Sequence, residues 1–87
     1  MLNFPNQSRV FDPTRHAVRF WGHDSAMEWS FFVTEDALKR LQPNMRSDEA
    51  SVLRVFDDNR DAIYVAAMRA YKRKRKDSYE LGAADFL

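Results

Sequence analysis

The chain has 87 residues, 45% of them hydrophobic and 14% aromatic, and 14 Lys and Arg against 13 Asp and Glu leave a formal net charge of +1. That length makes one domain, residues 1–87, and the apolar content excludes a wholly disordered chain. Cysteine is absent, which excludes disulfides, thiolate chemistry and Cys-based zinc sites, and the near-neutral balance is not that of a strong nucleic-acid binder.

No apolar stretch approaches the roughly 20 residues that span a bilayer. The segment Met1-Leu2-Asn3-Phe4-Pro5-Asn6 lacks the basic region and apolar core of a signal peptide. The expectation is a soluble cytoplasmic protein without a membrane partner.

In chain order, Ser8-Arg9-Val10-Phe11 reads as a short edge strand, and Asp12-Pro13-Thr14-Arg15 as a turn with φ set by Pro13. His16–Trp21 predicts a second strand, with His16 on the core side at the sheet edge. Gly22-His23-Asp24-Ser25 predicts a reversal, and residues 26–33 a return strand rich in aromatic and β-branched side chains. A two-residue loop at His23-Asp24 pairs Phe20 with Met27, Val18 with Trp29 and Arg19 with Glu28. Parity then puts Val18, Phe20, Met27, Trp29, Phe31 and Val33 on one face. The other face carries Ala17, Arg19, Trp21, Glu28, Ser30 and Phe32.

Thr34 is a fitting N-cap for a short helix over 35–41 that ends before Pro43, with Glu35 and Asp36 in its first turn. Ser47 fits as the next N-cap. From there a helical stripe of Val52, Phe56, Ile63, Ala66 and Ala70 predicts one helix from 48 to about 74, roughly 40 Å long. Asn59 falls within that stripe and needs hydrogen-bond partners if buried. Ser78-Tyr79-Glu80-Leu81 alternates as a final strand, after which Phe86 pins the end of the chain. The predicted fold class is α+β, in the order β-β-β-α-α-β. A small antiparallel sheet of three to four strands packs on one long amphipathic helix, with one short helix beside it.

Charge is unevenly placed. Arg69-Ala70-Tyr71-Lys72-Arg73-Lys74-Arg75-Lys76 holds six positive side chains and no negative one, whereas residues 24–61 carry −4 and residues 77–87 carry −3.

Phe20-Trp21-Gly22-His23-Asp24, Ser30-Phe31-Phe32-Val33, Ala37-Leu38, Phe56-Asp57 with Asn59-Arg60, and Ala84-Asp85-Phe86 resemble, in order and spacing, a bacterial family known as domain of unknown function 1488. The resemblance covers essentially the whole chain. It implies a compact α+β domain and brings no reaction, ligand or partner with it.

Three regions are candidates for function. Arg69, Lys72, Arg73, Lys74, Arg75 and Lys76 can contact an anion or nucleic acid, though cations at a helix C-terminus are also favoured by the helix dipole alone. His23 and Asp24 at the hairpin tip, near Glu28, offer acid–base groups, with a purely structural turn as the simpler reading. Trp21, Phe32, Arg19 and Glu28 on the second sheet face can anchor a dimer or another protein, unless Phe4 and the short helix cover them. The acidic run Asp57-Asp58-Asn59-Arg60-Asp61 lacks the Gly and Glu of a calcium loop and reads as a solvated helix face.

Enzymatic chemistry is the weakest class. No nucleophile stands at a recognised spacing from a base, no Gly-rich loop can cradle a phosphate, and no cofactor or metal is implied. The favoured reading is a small structural or protein-interaction module, a homodimer among its forms. A nucleic-acid-associated accessory protein using residues 69–76, and small-ligand binding or weak catalysis around His23, stand as alternatives.

Overall fold

The computed structural model describes residues 1–87. Strands β1 (Val10–Asp12), β2 (Ala17–Asp24) and β3 (Met27–Thr34) lead into helices α1 (Glu35–Leu41), α2 (Glu49–Asp58) and α3 (Arg60–Arg73). β4 (Ser78–Leu81) and a 3₁₀ turn over Ala83–Phe86 complete the chain. The sheet order is β1-β2-β3-β4. β1, β2 and β3 are antiparallel neighbours, but β4 runs parallel to β3. The sheet is therefore mixed, not antiparallel as expected. All three helices lie between β3 and β4, and a crossover of that kind lets the chain re-enter the sheet in the direction of the strand it left.

The β2–β3 hairpin forms with a different register. Its turn is Ser25-Ala26, not His23-Asp24, and Phe20 faces Phe31, Val18 faces Val33, and His23 faces Glu28. The partner of Phe20 thus lies four residues further along than the sequence suggested. Side chains alternate with period two, so an even slide leaves each residue on its expected face. Ser25 has φ 56°, the positive value that the first central position of a II′ hairpin turn requires. Gly22 is not part of the turn. It lies in β2 on the core side, where an added Cβ would stand 2.9 Å from Leu2 Cδ1 and 3.0 Å from both Phe31 Cε1 and Phe4 Cε1. Glycine is there because two side chains of the N-terminal segment press onto the strand. Asn3 and His23 exchange backbone hydrogen bonds of 2.8 Å in each direction, which holds that segment in place.

Thr34 caps α1 as expected, its hydroxyl accepting from Ala37 N at 3.1 Å. Asp48, not Ser47, caps α2, accepting from both Ser51 N and Ser51 Oγ. These bonds hold the Asp48 carboxyl below the usual aspartate range, the Ser51 hydroxyl contributing most. His16 is not on the core side. It sits in the β1–β2 turn at φ 51°, exposed, with Nδ1 3.5 Å from Glu35 Oε2.

The single long helix is in fact two, interrupted at Asn59 (φ −123°, ψ 22°). The Asn59 side chain donates to the Val55 carbonyl at 2.8 Å, a local bond of the kind that lets Asn compete with helical backbone. Asp57, two residues before the break, is not a merely solvated acid. Arg9 grips it through two hydrogen bonds of 3.0 and 2.8 Å, and Arg60 donates a third at 2.8 Å. Arg60 also reaches the Gln7 carbonyl and the Tyr64 hydroxyl. The α2–α3 corner is thereby tied to the segment before β1.

Arg9 first, and Arg60 after it, hold the Asp57 carboxyl below the usual range. A depressed folded value stabilises the fold above the unfolded pKa, about 3.9, and that contribution is gone once pH has fallen through the folded value. Wild type should therefore be more stable than Asp57→Asn at neutral pH, with the gap in urea midpoint closing in acid. A gap that stays constant down to about pH 2 would contradict this role.

The core lies between one sheet face and the helices. Phe20, Phe31, Phe56, Leu38, Ile63 and Leu81 are fully enclosed in it. Phe20 is the hub, with ring centroids 5.4 Å from Phe31, 5.3 Å from Phe56, 5.9 Å from Tyr64 and 6.1 Å from Phe4. Phe4 stacks on Tyr64 at 4.1 Å.

Candidate functional site

The six cations of the basic run are divided. Arg69, Lys72 and Arg73 end α3, Lys74 is its C-cap, and Arg75 and Lys76 belong to the link into β4. Arg73 approaches Asp85 at 3.7 Å, and Arg75 folds back over the Tyr71 ring at 3.9 Å, with its Nη1 3.8 Å from Asp24. Arg69, Lys72, Lys74 and Lys76 form no ion pair. The run is therefore no continuous basic stripe.

At the hairpin tip, Asp24 and His23 point to different partners because they alternate along β2. The Tyr71 hydroxyl donates to Asp24 Oδ2 at 2.6 Å and the Met1 amino group to Oδ1 at 3.0 Å. These donors, Tyr71 foremost, draw the Asp24 carboxyl below the usual range, and the same bond raises Tyr71. Asp24 is consequently a fully engaged acceptor that joins β2 to α3. His23 Nε2 lies 3.1 Å from Glu28 Oε2 but out of line for a hydrogen bond. Five surface cavities of about 330 to 430 Å³ are lined by neither His23 nor Asp24. No three His, Cys, Asp or Glu side chains gather as a metal would require, and no helix is long and apolar enough to cross a membrane.

The second sheet face brings more of its expected residues together. Pairing across the four strands sets Val10, Arg19, Phe32 and Glu80 in one row, with Trp21, Ser30 and Ser78 in the next. Neither Phe4 nor α1 covers them. Phe4 packs into the core instead, and α1 buries Ala37 and Leu38 on the opposite side. Arginine side chains lie over the aromatic rings. Arg15 lies 4.1 Å over Phe32, and Arg19 stands 5.7 Å from Phe32 and 5.1 Å from Trp21. Arg19 Nη2 donates to Ser30 Oγ at 2.9 Å. Beneath this roof Phe32 is 7% exposed, while Val10 at the sheet edge is 51% exposed. Glu28 sits near the turn, beside His23 rather than Arg19.

The description "Protein of unknown function (DUF1488)" matches residues 2–81. The chain belongs to the DUF1488 family. A crystal structure of a DUF1488-family protein of unknown function from Shewanella loihica PV-4 superimposes with a TM-score of 0.81 at 16% identity, covering 92% of this chain and 90% of that one. At that identity the likeness concerns the fold. No curated protein matches the chain. The DUF1488 fold here is thus a mixed sheet backed by helices on one side and open on the other.

Two sets of contacts in this DUF1488 chain left no trace in its sequence. Tyr71 with Asp24, and Arg9 with Asp57, are separated by 47 and 48 positions. Tyr71 lies inside the six-cation run, and nothing in that local pattern singles out its hydroxyl. Parity alone places Trp21, Ser30 and Phe32 on one sheet face.

Proposed function

We propose that the chain is a non-catalytic interaction module that pairs with a second copy through its open sheet face. The observation that supports this reading is the row of Val10, Arg19, Phe32 and Glu80 beside the row of Trp21, Ser30 and Ser78, with Val10 half-exposed and Phe32 shielded by arginine side chains. Trp21 and Arg19 sit on the β2 half of one surface, and Ser30, Ser78 and Glu80 on the β3–β4 half.

A twofold axis parallel to the strands and between β2 and β3 lays the β1–β2 half of one copy over the β3–β4 half of the other. Trp21 then meets the small Ser30 and Ser78 of the second copy, and Arg19 comes within reach of its Glu80. Stacked sheets lie about 10 Å apart and roughly 30° askew, which these long side chains span. The four strands, two of them short, present roughly 370 Å² at the usual strand spacing and rise, about 750 Å² for the pair, which is the weak and transient end of protein interfaces. The dimer should accordingly be reversible and concentration-dependent. A short chain has a modest core, and added burial at this face stabilises it.

Sedimentation over a range of concentrations tests the reading. Wild type should shift from monomer to dimer, and Trp21→Ala and Arg19→Glu should each move the midpoint at least tenfold higher. Both substitutions lie outside the core, and circular dichroism verifies that each variant is folded. A wild-type monomer at every concentration, or equal dimerisation by all three, defeats the proposal.

A further inference from the structure

We infer that the free edge of β4, with the basic end of α3 beside it, is a docking groove for an extended acidic peptide segment that adds to the sheet as a further strand. β4 is the last strand of the sheet and has one neighbour, β3. Alternate residues of a strand direct their N–H and C=O groups to opposite sides, so β4 presents a row of groups away from β3. No other strand or side chain fills that row. The hydrogen bonds at either end stop short of it, Lys76 N donating to the Tyr79 hydroxyl and Gly82 N to Asp85 Oδ2. Free edge groups of this kind are the recognition element of strand addition, with side-chain pockets alongside giving selectivity.

The pocket is present. A groove of about 340 Å³ runs beside β4, lined by Arg73, Lys74, Lys76, Tyr79, Glu80 and Asp85. Asp85 lies 3.7 Å from Arg73, whereas Lys74 and Lys76 have no anionic partner. Arg69 and Lys72 add positive charge on the adjoining turns of α3. A strand laid along β4 places every second side chain on the groove side, so carboxylates at alternating positions meet Lys74 and Lys76.

Two features favour a peptide over nucleic acid on these cations. The unfilled edge groups match a peptide backbone, not a phosphodiester. Asp77, Glu80 and Asp85 stand among the cations, where they repel a continuous polyanion but leave room for spaced carboxylates. This groove shares only Glu80 with the open sheet face, and a face-to-face dimer leaves the edge groups of β4 free.

The test titrates the ¹⁵N-labelled full chain with three probes and follows amide shifts. One probe is an extended peptide of alternating Glu and Thr, the second is the same peptide with Pro at alternate Thr positions, and the third is a single-stranded oligonucleotide of equal charge. The Glu–Thr peptide should shift Ser78–Leu81 and the Lys74–Lys76 link, and Pro should weaken it at least tenfold by removing backbone donors while keeping the charge. Lys74→Glu with Lys76→Glu should weaken it by a similar factor, with the dispersion of the spectrum verifying the fold. Several results overturn the inference: no shift at β4 up to saturating peptide, equal binding of the Pro probe, tighter binding of the oligonucleotide, or dilution-dependent β4 shifts without any probe, which would mean that a second copy fills the edge.

Discussion

Phe20→Ala is expected to lower stability by about 3–5 kcal/mol, the usual cost of removing a large buried aromatic ring. Phe20 is 1% exposed and touches the sheet, the helices and the N-terminal segment at once through Phe31, Phe56, Tyr64 and Phe4. Neighbours fixed on a strand, two helices and a tethered segment cannot all close on the space left behind. Stabilities of about 0.05–0.15 kcal/mol per residue give a chain of this size only about 4–13 kcal/mol in total. The variant should therefore be partly unfolded in buffer or show a urea midpoint near the start of the wild-type baseline. A loss below about 1 kcal/mol would mean that the ring is not the hub of the core.

Gly22→Ala should cost about 1–3 kcal/mol, although it adds one methyl group to a β-strand, where alanine is ordinarily the better residue. The new Cβ meets Leu2, Phe4 and Phe31 at 2.9–3.0 Å. Phe4 is pinned by its stack on Tyr64, and Asn3 by its two backbone bonds to His23. The strain should release the N-terminal segment first. Hydrogen exchange should then show the Asn3 and His23 amides losing protection before the centre of β3. An unchanged or higher urea midpoint for Gly22→Ala would show that the segment yields without cost.

What could be read beforehand was whatever obeys a local period. Thr34 and the stripe through Ala37 and Leu38 placed α1, and the alternation of Ser78 to Leu81 placed β4. Face assignments in the hairpin survived a four-residue error in register because parity does not register an even slide. The error itself came from Gly22. A glycine among polar residues signals a turn, and close approach by Leu2 and Phe4 is invisible to a local reading. Strand direction also has no local signature, so the parallel pairing of β4 with β3 was missed. The break at Asn59 had a faint one in the low helix propensity of Asp57-Asp58-Asn59, outweighed by an unbroken apolar stripe on both sides. Of the candidate regions, the sheet face kept Arg19, Trp21 and Phe32 together, while long-range partners drew Asp24 and Arg75 into structural contacts.

Pairing through the open sheet face is tested most directly by intermolecular NOEs in a mixed sample of isotope-labelled and unlabelled chains at high concentration. The expected result is contact from the Trp21 indole of one copy to Ser30 and Ser78 of the other, with Arg19 near Glu80 and no contact through α2 or α3. Intermolecular contacts confined to the helices, or none at a concentration where the protein sediments as a dimer, would contradict it.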